Sequence, residues 1–75
     1  MMPTTTYFKR SLLDKEDRNK SLDLEFGITS SQGEDLMYIR VDDRAVTVDH
    51  DTAKRICDGM RRLAHYYGFD KDRSR

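Results

Sequence analysis

Ser21-Leu22-Asp23-Leu24-Glu25-Phe26-Gly27-Ile28-Thr29 alternates apolar and polar residues from end to end. Leu22, Leu24, Phe26 and Ile28 fall on one side, and Ser21, Asp23, Glu25, Gly27 and Thr29 on the other. A period of two marks a strand with one face buried and one face in water. The polar run 30–35, which contains Gly33, predicts a hairpin loop. Leu36-Met37-Tyr38-Ile39-Arg40-Val41 is rich in β-formers, with Met37, Ile39 and Val41 inward and Tyr38 and Arg40 outward. Asp42-Asp43 predicts a tight turn, because Asp tolerates positive φ better than most residues. Arg44 to Val48 is then a short return strand, so the middle of the chain is expected to be an antiparallel meander.

The periodicity changes after Val48. Ala53, Ile56, Cys57, Met60, Leu63, Ala64 and Tyr67 recur in steps of three and four, which draws one apolar stripe along a helix over 50–67. Asp49 is the expected N-cap, and Asp51 places a negative charge in the first turn, where the macrodipole favours it. Gly68 stands where a left-handed residue would stop the helix, with Phe69 folding back onto Leu63 or Ala64. Gly59 inside the helix costs about 1 kcal/mol against alanine. A close backbone approach, by the chain's own sheet or by a second protomer's helix, would offset that cost.

The first twenty residues are ambiguous. Thr4-Thr5-Thr6-Tyr7-Phe8-Lys9-Arg10 favours an edge strand, and a short helix burying Phe8 and Leu12 is the alternative. Residues 14–20 form a solvated loop and 70–75 a frayed tail. The expectation is a single α+β domain: N-terminal strand and charged loop over 1–20, β-meander over 21–48, helix over 49–68 and tail over 69–75. The sheet has three to four antiparallel strands with the helix packed on one face. The expected core is Leu22, Leu24, Phe26 and Ile28 with Met37, Ile39, Val41, Val46 and Val48. Against these lie Ala53, Ile56, Cys57, Met60, Leu63, Ala64, Tyr67 and Phe69 of the helix.

Composition bounds function. The 75 residues carry 14 basic and 14 acidic side chains, a formal net charge of +0. The signs are segregated: +2 over 1–20 (5 − 3), −6 over 21–53 (2 − 8) and +4 over 54–75 (7 − 3). Such a dipole can steer a partner. No apolar run reaches the ~18 residues that a membrane span needs. The N-terminus lacks the basic head and apolar stretch of a secretory signal. The single cysteine, Cys57, excludes an internal disulfide and fits a reducing, cytoplasmic setting.

Two surfaces are candidates for binding. The acidic one comprises Asp23, Glu25, Glu34, Asp35, Asp42 and Asp43, with Tyr38 as an exposed anchor of the kind enriched at protein interfaces. It would dock on a basic groove of another protein. The basic one is the helix flank of Lys54, Arg55, Arg61, Arg62 and His65, suited to phosphates of a nucleic acid or nucleotide. Tyr66 joins Arg62 as a possible nucleotide seat at a dimer seam. Pairs Asp51–Arg55, Lys54–Asp58 and Asp58–Arg62 at i,i+4 offer that flank a purely solubilising role. Cys57 and His65 stand eight residues apart on opposite sides of the helix, and neither histidine shares a face with ligand-spaced carboxylates. No enzyme activity, metal or cofactor is therefore expected, whereas a homodimer is, because a core this small needs reinforcement.

The stretch Tyr38 to Val48, followed by Asp49 and the helix over Ala53 to Leu63, resembles small phage and prophage proteins that pair a short β-meander with one C-terminal amphipathic helix. That resemblance implies an accessory protein of a mobile element. It would act in the host cytoplasm by binding and modulating a host protein, including components of defence systems, without catalysis.

Overall fold

The computed structural model describes residues 4–69. Four strands, β1 (Thr4–Leu13), β2 (Ser21–Ser31), β3 (Glu34–Val41) and β4 (Arg44–Val48), pair in sequence order in one antiparallel sheet. The helix α1 (His50–Tyr67) follows. The fold is the expected α+β arrangement, and the threonine-rich N-terminus resolves into a strand.

Both tight hairpins follow from local chemistry. Gln32 and Gly33 both have positive φ, 52° and 81°, as a two-residue type I′ turn requires. The turn pairs Ser31 with Glu34, so the expected six-residue loop shrinks to two residues. At the second hairpin Asp42 takes φ 56° and Val41 pairs with Arg44. Asp42 also ties this turn to β2: its N–H donates to the Asp23 carbonyl, and its Oδ1 accepts from the Asp23 N–H, each at 2.9 Å. Asp14 closes the 14–20 loop by accepting the N–H groups of Glu16 and Asp17 at 2.9 and 2.8 Å.

Register sorts the side chains into two faces. A row of Phe8, Phe26, Ile39 and Val46 crosses all four strands on the apolar face. The Phe8 and Phe26 rings stack there at 5.2 Å. The opposite face carries the rows Lys9, Glu25, Arg40, Ala45 and Thr6, Gly27, Tyr38, Thr47. A β-bulge between Thr6 and Phe8 inserts Tyr7 and shifts the phase of β1.

The helix begins and ends as its caps dictate. Asp49 Oδ1 accepts the Thr52 N–H at 2.8 Å, and Gly68, at φ 78°, returns its N–H to the carbonyls of Ala64 and His65. Its tertiary packing differs from expectation. The helix meets the sheet at β3, and its Ala53 and Cys57 line a hollow with Phe26, Ile28 and Met37. Ala53, Ile56 and Ala64 are half-buried, as are Leu24, Phe26, Ile28, Met37, Ile39 and Val48. Met60 and Leu63 remain 48% and 55% exposed, and Cys57, Tyr67 and Phe69 are exposed too. Leu22, Val41 and Val46, also expected in the core, are exposed on the sheet. Phe69, expected against Leu63 or Ala64, stacks on Tyr67 at the end of the stripe, at 4.9 Å. Nothing lies within 4 Å of the position a Gly59 Cβ would take, so the chain's own sheet does not supply the close approach expected there.

Candidate protein-binding surface

The acidic residues do not form one patch. Glu34 and Asp35 sit at the β2–β3 turn, and Asp42 and Asp43 at the other end of β3, about 23 Å away for eight residues. Asp35 lies on the helix side of the sheet, where its carboxylate accepts from Ser30 Oγ at 2.9 Å. Its carbonyl lies 2.9 Å from His50 Nε2.

Asp23, Glu25 and Asp42 are brought together. With Lys9, Ser11 and Arg40 they line a shallow polar depression near the β3–β4 turn. Ser11 Oγ donates to Asp23 Oδ1 at 2.6 Å. Lys9 and Arg40 flank Glu25 on the neighbouring strands, so two cations compensate this end of the supposedly acidic face. The contribution of Lys9 and Ser11 depends on β1 being a strand in this register, which the sequence left open.

Tyr38 is the main correction. Only 9% of it is exposed, the lowest value among the described hydrophobic side chains, and it lies on the polar face. Its ring edge comes within 3.0 Å of where a Gly27 Cβ would be, so the missing side chain makes room for the ring. Its hydroxyl donates to Glu25 Oε2 at 2.6 Å and lies 3.0 Å from Thr6 Oγ1. Thr6 Oγ1 also donates to Glu25 Oε2 at 3.4 Å, so both hydroxyls converge on one carboxylate oxygen. Tyr38 is therefore an internal pillar of the polar face, not an anchor presented to a partner.

This network leaves an electrostatic signature. The Tyr38 hydrogen bond, aided by Lys9 and Arg40, holds the Glu25 carboxyl below its ordinary value. The same bond raises Tyr38 above its own. Hydrogen bonds from Thr52 likewise lower Asp49 at the helix N-cap. A carboxyl lowered in the folded state adds stability above its unfolded pKa, and that stability is lost as pH falls through the folded value. A phenol raised in the folded state adds stability below its unfolded pKa, lost as pH rises through the folded value. The melting midpoint should therefore fall as the pH drops below Glu25's ordinary 4.5. Glu25→Gln should flatten that acid limb, and an unchanged slope would contradict the coupling.

The basic flank is largely compensated. Lys54 and Arg61 share Asp58 at 3.2 and 3.0 Å, and Arg55 pairs with Asp51 at 3.1 Å. Arg61, three residues from Asp58, takes the place expected for Arg62. Among the described residues Arg62 makes no ion pair within 4 Å. Tyr66 is exposed and meets Tyr67 edge-on at 5.5 Å.

An exposed apolar surface lies outside both the acidic and the basic sets. Under the first turns of α1, Tyr7, Phe26, Gly27, Ile28, Met37, Ala53 and Cys57 line an apolar hollow of about 270 Å³. Beyond it run the exposed Met60, Leu63, Tyr67 and Phe69. Among the described residues no group of three or more His, Cys, Asp or Glu could hold a metal ion, and no helix is long and apolar enough to cross a membrane. No protein-family model, no curated protein and no solved structure matches the chain.

Proposed function

We propose that the chain is a protein-binding module, an accessory protein that modulates its target by covering part of the target's surface, without catalysis. The observation that supports this reading is the uncovered apolar side chain on both layers, Met60, Leu63 and Tyr67 on the helix and Val46 on the sheet. Exposed contiguous apolar surface marks protein contact sites. Nucleic-acid interfaces are distinguished by positive charge, and the cations of α1 are largely paired.

The acidic β3–β4 turn supplies the steering element of the recognition surface. Asp43 is the residue to change, because Asp42 is built into the turn through Asp23. Affinity capture from a lysate of the cell that carries the gene, with and without nuclease, tests the reading. The expected result is nuclease-insensitive recovery of one protein, reduced at least about tenfold by Asp43→Lys with the far-UV circular dichroism unchanged. Recovery of many proteins, lost after nuclease and with a steep salt dependence, would replace this reading with the phosphate-binding one. Undiminished recovery with Asp43→Lys would remove the acidic turn from it.

A further inference from the structure

We infer that the free edge of β1 is a docking site for an extended, acidic segment of the target, which adds to the sheet as a further strand beside Phe8 to Leu13. The inference rests on the protein-binding reading and names the form and charge of one piece of the partner.

Register and hydrogen bonds show which backbone groups this edge offers. Asp14 N–H donates to the Lys20 carbonyl at 3.0 Å, so Asp14 and Lys20 form a hydrogen-bonded pair one step beyond Leu13 and Ser21. Such pairs alternate with unbonded ones along an antiparallel ladder. Phe8, Arg10 and Leu12 therefore spend their N–H and C=O groups on β2, and those of Lys9, Ser11 and Leu13 point away from it. The other side of β2 agrees. Asp42 N–H donates to the Asp23 carbonyl at 2.9 Å, so Asp23, the partner of Ser11, bonds toward β3. Among the described residues only β2 pairs with β1, and every side chain from Lys9 to Leu13 is exposed. An unpaired edge of this kind is a template for another strand. The bulge at Tyr7 interrupts the ladder on one side, and from Phe8 to Leu13 the register is unbroken. The sheet's other edge, β4, is five residues long and leads directly into α1.

Charge selects the occupant. A strand added here lies about 4.8 Å from β1 and about 10 Å from β2, so β1 side chains are its immediate neighbours. β1 carries Lys9 and Arg10 and no acid. Among the described residues neither cation makes an ion pair within 4 Å. The acids of β2 lie one strand further and are engaged within the chain, Asp23 with Ser11 and Glu25 with Tyr38. Lys9 and Arg10 project to opposite faces, so they match two consecutive acidic residues of an extended partner. The same cations oppose edge-to-edge pairing of two copies, which would bring Lys9 and Arg10 of each together with no acid between them. Beside this seat, Leu12, Leu13 and Leu22 with Asn19 and Lys20 line a hollow for an apolar side chain next to the acidic pair.

A synthetic peptide of about eight residues, valine and threonine around two central glutamates, tests this on the whole chain, with a two-lysine counterpart as control. Fluorescence anisotropy in low salt should show the glutamate peptide bound at least about tenfold more tightly than the lysine one. Amide exchange by NMR should show new protection at Lys9, Ser11 and Leu13, with Arg10 and Leu12 protected with and without peptide. Ser11→Pro removes an outward N–H that β2 does not use, so circular dichroism should be unchanged and binding at least about tenfold weaker. The double variant Lys9→Glu with Arg10→Glu alters side chains alone and should reverse the preference between the two peptides. Equal binding of both peptides, or no new protection at saturation, would overturn the proposal. A doubled mass in size exclusion that Ser11→Pro abolishes would assign the edge to a second copy and overturn it too. Undiminished target capture by Ser11→Pro would remove the edge and leave the protein-binding reading standing. A chain that docks the glutamate peptide and captures no protein would do the reverse.

Discussion

Gly27→Ala should cost at least about 3 kcal/mol, enough to unfold a chain whose core supplies roughly 3–5 kcal/mol. A Cβ at this position would meet the Thr5 carbonyl oxygen at 2.1 Å and Thr6 Cα at 2.9 Å. Both obstacles are backbone of β1, so relief requires that strand to move away from β2. The bulge at Tyr7 creates this close approach by carrying the Thr5–Thr6 backbone over Gly27. Urea unfolding followed by circular dichroism measures the loss. A wild-type midpoint would mean that β1 is not seated against β2 in this register.

Tyr38→Ala should lower the melting midpoint by about 10 °C or more. It removes the least exposed apolar side chain, empties the space over Gly27 and deprives Glu25 of its phenol donor. Tyr38→Phe separates these effects. It keeps the ring over Gly27, so most of the stability should remain, while the Glu25 carboxyl should titrate closer to its ordinary value in NMR. Equal losses in the two variants would mean that the hydroxyl network, not the ring, holds this face together.

These two residues also show where the sequence was legible and where it was not. The alternation through Leu22, Leu24, Phe26 and Ile28 and the three-four spacing from Ala53 to Tyr67 identify strand and helix, because each period reports burial on one face. Asp49 and Gly68 mark the helix ends because their side-chain chemistry is local. Tyr38 was misread as exposed because its partner is defined by register. Gln32-Gly33, read as a type I′ turn, would have placed Gly27 opposite Tyr38, and an aromatic ring lying over a strand glycine is a known way to fill that gap. The bulge at Tyr7 was invisible because it breaks the alternation that identifies a strand. The helix stripe was located correctly, and Ala53, Ile56 and Ala64 on it are half-buried while Met60 and Leu63 stay exposed. Periodicity reports which face is apolar, not how much of it the same chain covers.

The candidate surface divides in the same way. The pairs Lys54–Asp58 and Asp51–Arg55 follow from spacing on one helix. The compensation of Glu25 by Lys9 and Arg40 depends on three strands in register. Summed charge over 21–53 therefore overstated the negative character of the sheet face.

The central claim is that the chain acts by binding another protein through apolar surface that it leaves uncovered. It is tested most directly by nuclease-treated affinity capture with the unmodified chain and with Leu63→Asp, at a position 55% exposed. The account predicts recovery of one protein by the unmodified chain, reduced at least about tenfold by the variant with its circular dichroism unchanged. Equal recovery by both would contradict it.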